Sequence, residues 1–161
     1  MNNLDVLIRT VCDNFKLDIN GLHGIYHWRR VEQNGKILHK LLPETDLTVI
    51  TLFAYIHDSQ RICEDDDDLH GPRASDWAIE NLGGLVSISK AQLGLLVEAC
   101  YGHTSELFSE NLTIQACWDA DRLDIGRCKH YIDKSYLGTP VAKIDNVLFG
   151  SLLRSRHREN I

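Results

Sequence analysis

The run Val49-Ile50-Thr51-Leu52-Phe53-Ala54-Tyr55-Ile56 ends on the adjacent pair His57-Asp58. An apolar run of that length has no polar face for water, so it predicts a helix buried on all sides. The polar pair at its end needs partners, because burying such groups unpaired costs several kcal/mol. A metal ion suits a neutral imidazole and a carboxylate together. Neighbours on a helix diverge by about 100°, so both reach one ion only at a helix end or a distortion. Ser59, Gln60 and Arg61 follow the pair and place the helix end there. His27 upstream and Asp121 downstream are the further ligands on offer.

Helical spacing dominates the rest of the chain. With only three prolines and little β-branched alternation, the pattern predicts a single all-α domain, a bundle of about six or seven helices. Between Leu22 and Leu42, the residues Ile25, Trp28, Val31, Leu38 and Leu41 recur at three- and four-residue steps. Thr45 or Asp46 can cap the buried helix. Charge repulsion makes residues 64–68 a loop. Gly71-Pro72 opens a helix carrying Ala74, Ala78, Ile79 and Leu82, with Gly83-Gly84 as its stop. Ser89 can cap the next helix, which holds Leu93, Leu96, Val97 and Cys100. A further helix is expected from Thr113 to Ile125. Lys134 to Pro140 reads as a loop before a last helix over Val141 to Arg154. Residues 155–161 form a basic tail; Arg154, Arg156 and Arg158 read as a solvated end.

Composition excludes several classes. The 161 residues suit one domain with one core. A net charge of −6 without a basic face argues against nucleic acid as a partner. No apolar stretch is long enough to span a membrane, and the N-terminus does not read as a signal peptide. Five scattered cysteines, with no C-x-x-C pair, fit reduced thiols in a cytoplasm rather than a disulfide framework. The sequence leaves self-association into a homo-oligomer open.

The downstream carboxylate must come from Trp118-Asp119-Ala120-Asp121-Arg122-Leu123-Asp124. Asp119 and Asp121 lie two apart and face opposite sides of a helix, so only one is expected to look inward. Asp121 shares its face with Cys117, Trp118 and Ile125, whereas Asp119 shares its face with Gln115 and Arg122. Asp121 is therefore the expected ligand, with Asp124 hydrogen-bonding near it or holding a ligating histidine. His27 sits on a largely inward stripe with Val31, Asn34 and Leu38. Two histidines and two carboxylates suit Mn²⁺, Fe²⁺, Co²⁺, Ni²⁺ or Zn²⁺. Arg61, Arg73 and Arg122 stand near these ligands in sequence and are candidate phosphate contacts, since a guanidinium matches phosphate bidentately.

The order His27, His57-Asp58, Asp121-Arg122 resembles the HD-domain superfamily of metal-dependent phosphohydrolases, over roughly residues 20 to 130. His27-Trp28-Arg29-Arg30-Val31, Phe53 to Arg61, His70-Gly71-Pro72-Arg73-Ala74 and Cys117 to Asp124 resemble a small bacterial branch of it. The resemblance implies one divalent ion, with Mg²⁺ added to the candidates, held by His27, His57, Asp58 and Asp121. That ion would position a water and polarise a phosphate ester. A small phosphorylated substrate, a nucleotide or related metabolite, is the implied partner. His70 and His103 resemble the extra histidines that some members use for a second metal and others as acids or phosphate donors. The short gap from Asp58 to His70 departs from the two-metal branches, so one ion is expected, with His70 and His103 acting on substrate. The alternatives are a di-iron oxygenase using His70 and His103 as ligands, and a non-catalytic nucleotide sensor.

Other motifs carry less. His23-Gly24-Ile25-Tyr26-His27 lacks the general-base glutamate of a zincin, with Gly24 in its place. The acidic run Glu64-Asp65-Asp66-Asp67-Asp68 fails as a calcium loop because Trp77 occupies the twelfth position from Asp66. His23 reads as a rim residue, and His39, His130 and His157 as surface.

Overall fold

Leu47–Ile56 is the helix on which the rest of the molecule is assembled. In the computed structural model, which describes residues 3–156, this is α3. It is preceded by α1 (Asn3–Asn14) and α2 (Ile25–Leu41), and followed by α4 (His70–Leu85), α5 (Lys90–Gly102), α6 (Leu112–Arg122) and α7 (Asp145–Arg156). Three short 3₁₀ turns, Ile125–Cys128, Lys134–Tyr136 and Val141–Lys143, link α6 to α7. Among the described residues there is no strand. None of their helices is long and apolar enough to cross a membrane.

Every residue of α3 from Val49 to Ile56 except Thr51 is buried. The helix packs against α2, α5 and α6. Its start is fixed by Asp46, whose Oδ1 accepts the Thr48 and Val49 amides at 2.9 and 3.1 Å. The other oxygen of Asp46 accepts Gln92 Nε2 at 2.9 Å. Gln92 also completes the capping box of α5 with Ser89, so one contact ties two helix starts together. Gly35 lets α2 lie close to α3, since a Cβ there would overlap Ile50. Trp28 packs edge-to-face on Phe15, ring centroids 5.1 Å apart.

The element bounds differ from the sequence reading in identifiable places. Gly83 and Gly84 do not end α4; it runs on to Leu85. Both glycines face open space, while buried Leu82 and half-buried Leu85 hold the last turn on the core. The helix expected to reach Ile125 stops at Arg122. There Asp124 turns its carboxylate inward and its amide bonds Asp121 O. The last helix begins at Asp145, because Ile144 is extended after a 3₁₀ turn. Arg154 is no free end: it donates to Asn34 Oδ1 at 2.8 Å. Arg158 and His157 lie outside the described residues. In the acidic loop, Asp67 is nearly buried and takes the Arg73 guanidinium at 2.6 Å. The α1 helix, with Leu7 and Val11 in the core, adds an element the spacing argument had passed over.

Candidate metal centre

Five helices bring their ends to one end of the bundle. His27 lies in the first turn of α2, His57 caps the C-terminus of α3, His70 begins α4, His103 caps α5 and Asp121 lies in the last turn of α6. Asp58 follows in the turn after α3. The doublet therefore reaches one point because it sits where the helix ends.

His27 Nε2 is 3.1 Å from His57 Nε2, 3.4 Å from Asp58 Oδ2 and 3.3 Å from Asp121 Oδ1. His57 Nε2 is 3.6 and 3.7 Å from the same two oxygens. The other oxygen of Asp58 faces a second group. It is 3.1 Å from His70 Nε2 and 3.8 Å from His103 Nε2, and those two nitrogens are 2.8 Å apart. Asp58 thus presents one oxygen to each set. The histidines and Asp58 are buried, whereas Asp121 keeps 19% side-chain exposure and marks the side open to solvent.

The tautomers follow from the partners. His27 Nδ1–H donates to Asp124 Oδ2 at 2.7 Å. His57, His70 and His103 donate Nδ1–H to the carbonyls of Phe53, Asp67 and Cys100. A carbonyl or carboxylate only accepts, so each ring, when neutral, keeps its lone pair on Nε2. Four imidazole Nε2 atoms and three carboxylate oxygens converge, with Arg61 Nη1 at their edge. Such a set is repulsive unless a cation or proton stands inside it. Imidazoles fixed through Nδ1 are what metal-ligating histidines show. A centre about 2.1 Å from each atom gives edges of about 3.0 to 3.4 Å; the three contacts of His27, at 3.1–3.4 Å, match it, and those of His57 to the two carboxylates, at 3.6 and 3.7 Å, are slightly longer. The residues present fit divalent ions in both groups. Nitrogen and oxygen donors suit Mn²⁺, Fe²⁺, Co²⁺, Ni²⁺ and Zn²⁺. The Cys100 thiol is not part of the set, since burial and the Asp58 charge push its pKa up.

The electrostatics agree. Burial and Arg127 oppose protonation of His27, yet Asp121, Asp124 and Asp58 outweigh them and raise its pKa to about 9. Burial opposes ionisation of Asp58, but His57 and the other histidines hold it well below the usual carboxylate range. The pocket demands positive charge.

The spacing argument against a second ligand group does not hold in the structure. The Asp58–His70 segment folds straight back, and Gly71 lets α4 meet the end of α5. A Cβ at Gly71 would press on Cys100 O and the His103 ring. His70 and His103 are therefore brought together as one set rather than left as separate polar groups.

Asp119 and Asp121 are both turned into the protein, in opposite directions, which corrects the expectation that only one would be. Asp119 is fully buried and accepts from Gln115 Nε2, the Gly138 and Thr139 amides and the Thr139 hydroxyl. It anchors the segment before α7. Asp121 alone faces His27 and His57.

Of the three arginines, Arg61 lies at the cluster, with Nη1 3.6 Å from Asp58 Oδ1 and 3.3 Å from His70. Arg73 gives its guanidinium to Asp67 and to Gln60 O. Arg122 gives its guanidinium to the carbonyls of Glu106, Leu107 and Tyr136. Both are committed to the scaffold. His23 is a buried rim residue paired with Glu64 at 2.6 Å. His39 is half-buried on Thr45, and His130 is exposed. Two residues had escaped the sequence reading: Arg30 donates to Asp124 Oδ1 at 2.7 Å, and Arg127 to Asp124 O at 3.2 Å. Their only signal was position, Arg30 one turn after His27 and Arg127 one turn after Asp124.

No protein-family model, curated protein or solved structure matches this chain. The chemistry of the cluster itself carries the functional reading.

Proposed function

We propose that the protein is a metal-dependent phosphohydrolase of the HD-domain type, acting on a small phosphomonoester such as a nucleotide or related metabolite. The observation that carries this reading is the convergence of four histidine Nε2 atoms with Asp58 and Asp121. His27, His57, Asp58 and Asp121 would hold one ion, and Asp58, His70 and His103 a second. Such ions lower the pKa of bound water and neutralise charge on a phosphoryl oxygen. The chain's own part is positioning. Asp124, Phe53 O, Asp67 O and Cys100 O fix the imidazole planes, so little reorganisation is left for binding. Arg61 holds a positive charge beside Asp58 and His70. The exposed edge of Asp121 is the side from which substrate would enter. Arg73 and Arg122 are not assigned to substrate, because Asp67 and Gln60 O hold the first and three backbone carbonyls the second.

The complete Asp58–His70–His103 group also favours a second reading, a di-iron oxygenase. Metal analysis of anaerobically purified protein, followed by a phosphatase screen over nucleotides and sugar phosphates, separates the two. Divalent metal with phosphate release supports the hydrolase. Two irons without phosphate release support the oxygenase. Tight nucleotide binding without turnover supports a sensor, and protein that binds no divalent ion overturns all three.

A further inference from the structure

Behind the metal centre lies a second polar site that the proposed hydrolysis does not use. Asp124 stands between His27 and Arg30, giving one oxygen to each. Beyond it, Arg30 and Arg127 line a small cleft of about 40 Å³ together with Asn20, Gly21, Leu22, Tyr26 and Ser155. Arg30 is only 4% exposed. Among the described residues its one hydrogen bond runs from Nε to Asp124, so both its Nη groups are left to the cleft. Arg127, with a side chain 10% exposed, uses Nε on Leu22 O and Nη1 on Asp124 O, leaving Nη2. Two largely buried guanidiniums thus meet at one partly open cleft. These Nη groups have no hydrogen-bond acceptor among the described residues and reach the solvent of the cleft, while Asp121 and Asp58 join Asp124 in favouring the charge of Arg127.

We infer that this cleft binds a phosphate-type oxyanion. Guanidinium edges match tetrahedral oxyanions through paired N–H donors. Asn20 and Tyr26 also line the cleft. The cleft is far below the 300–1,000 Å³ or so of a site for a drug-sized ligand. Its ligand is therefore free phosphate, or a phosphate group whose remainder stays outside. This inference does not depend on the proposed hydrolysis, and the test keeps the two apart.

Inorganic phosphate is titrated calorimetrically into the full chain, as wild type and as Asp58→Asn, which removes the ligand shared by both metal groups. One-to-one binding of similar affinity in both, weakened by about tenfold or more in Arg127→Gln, is the expected result. Arg127→Lys should fall between, because it keeps the charge but loses the fork. Arg30→Gln should match Arg127→Gln; if its loss of the Asp124 contact unfolds the chain, Arg127→Gln carries the test alone, with circular dichroism as the fold control. Glycerol 3-phosphate binding as tightly as phosphate assigns the cleft to an ester headgroup, whereas rejection of the ester assigns it to free phosphate; both keep the oxyanion site. Binding lost in Asp58→Asn but kept in Arg127→Gln would put the anion on the metal centre and overturn the inference. Absence of saturable binding at millimolar phosphate would also overturn it.

Discussion

The two aspartates of α6 separate burial from function. Asp119 is the more buried, yet its oxygens are filled by four donors from Gln115, Gly138 and Thr139. Asp121 is partly open and faces His27 and His57. Asp121→Asn is expected to lower bound divalent metal, because an amide is a poorer ligand than a carboxylate. Asp119→Asn should keep the metal and lower stability by about 1–3 kcal/mol, since its NH₂ would face N–H and O–H donors where a carboxylate oxygen accepted from them. Elemental analysis beside thermal melts reads both effects. The two extra histidines give a second prediction. His70→Gln and His103→Gln should each reduce bound metal from about two ions per chain toward one, leaving His27, His57 and Asp121 intact; unchanged stoichiometry would return them to a role on substrate. At this scale much was readable in advance. The face argument put Asp119 with Gln115 and Asp121 toward the ligands. It missed that a loop remote in sequence would bury Asp119 as well. Arg30 and Arg127 were unreadable because an arginine on a helix signals nothing until its carboxylate partner is placed.

Helix ends rather than helix faces build this site. Asp46→Ala should cost about 1 kcal/mol, the usual loss of an N-cap, and somewhat more through Gln92; urea denaturation checks this. Gly71→Ala tests the junction of α4 and α5. Its methyl group would meet Cys100 O and His103, so a loss of about 1–3 kcal/mol is expected. The metal held by His70 and His103 should weaken before that held by His27 and His57. Equal weakening of both would mean the two groups are not separable. The helix starts were legible where a side chain caps them, as at Asp46 and Ser89. The stops were less so. Gly83-Gly84 reads as a stop in sequence, but core contacts from Leu82 and Leu85 outweigh a helix cost of about 1 kcal/mol per glycine. At Leu123-Asp124 the helix ends because Asp124 is needed by His27 and Arg30, a demand that comes from α2 and not from local propensity.

For the whole molecule, the cluster is a clasp. Its six residues come from α2, the α3 end, α4, the α5 end and α6, so divalent ions bound there cross-link most of the bundle. The helical class and the one buried helix were predictable from the single apolar run, which could be satisfied only by surrounding it. The joining of two ligand groups through Asp58 was not, because it depends on how sharply the chain turns between residues 58 and 70. Each ion at a hundredfold excess over its dissociation constant adds about 2.7 kcal/mol, so a chelator should lower the melting temperature. The central claim is that this end of the bundle holds two divalent ions with Asp58 between them. Crystals grown with Mn²⁺ and measured for anomalous scattering test it most directly. The account predicts two peaks, one among His27, His57, Asp58 and Asp121 and one among Asp58, His70 and His103; no peak at the cluster, or a single peak touching neither oxygen of Asp58, would contradict it.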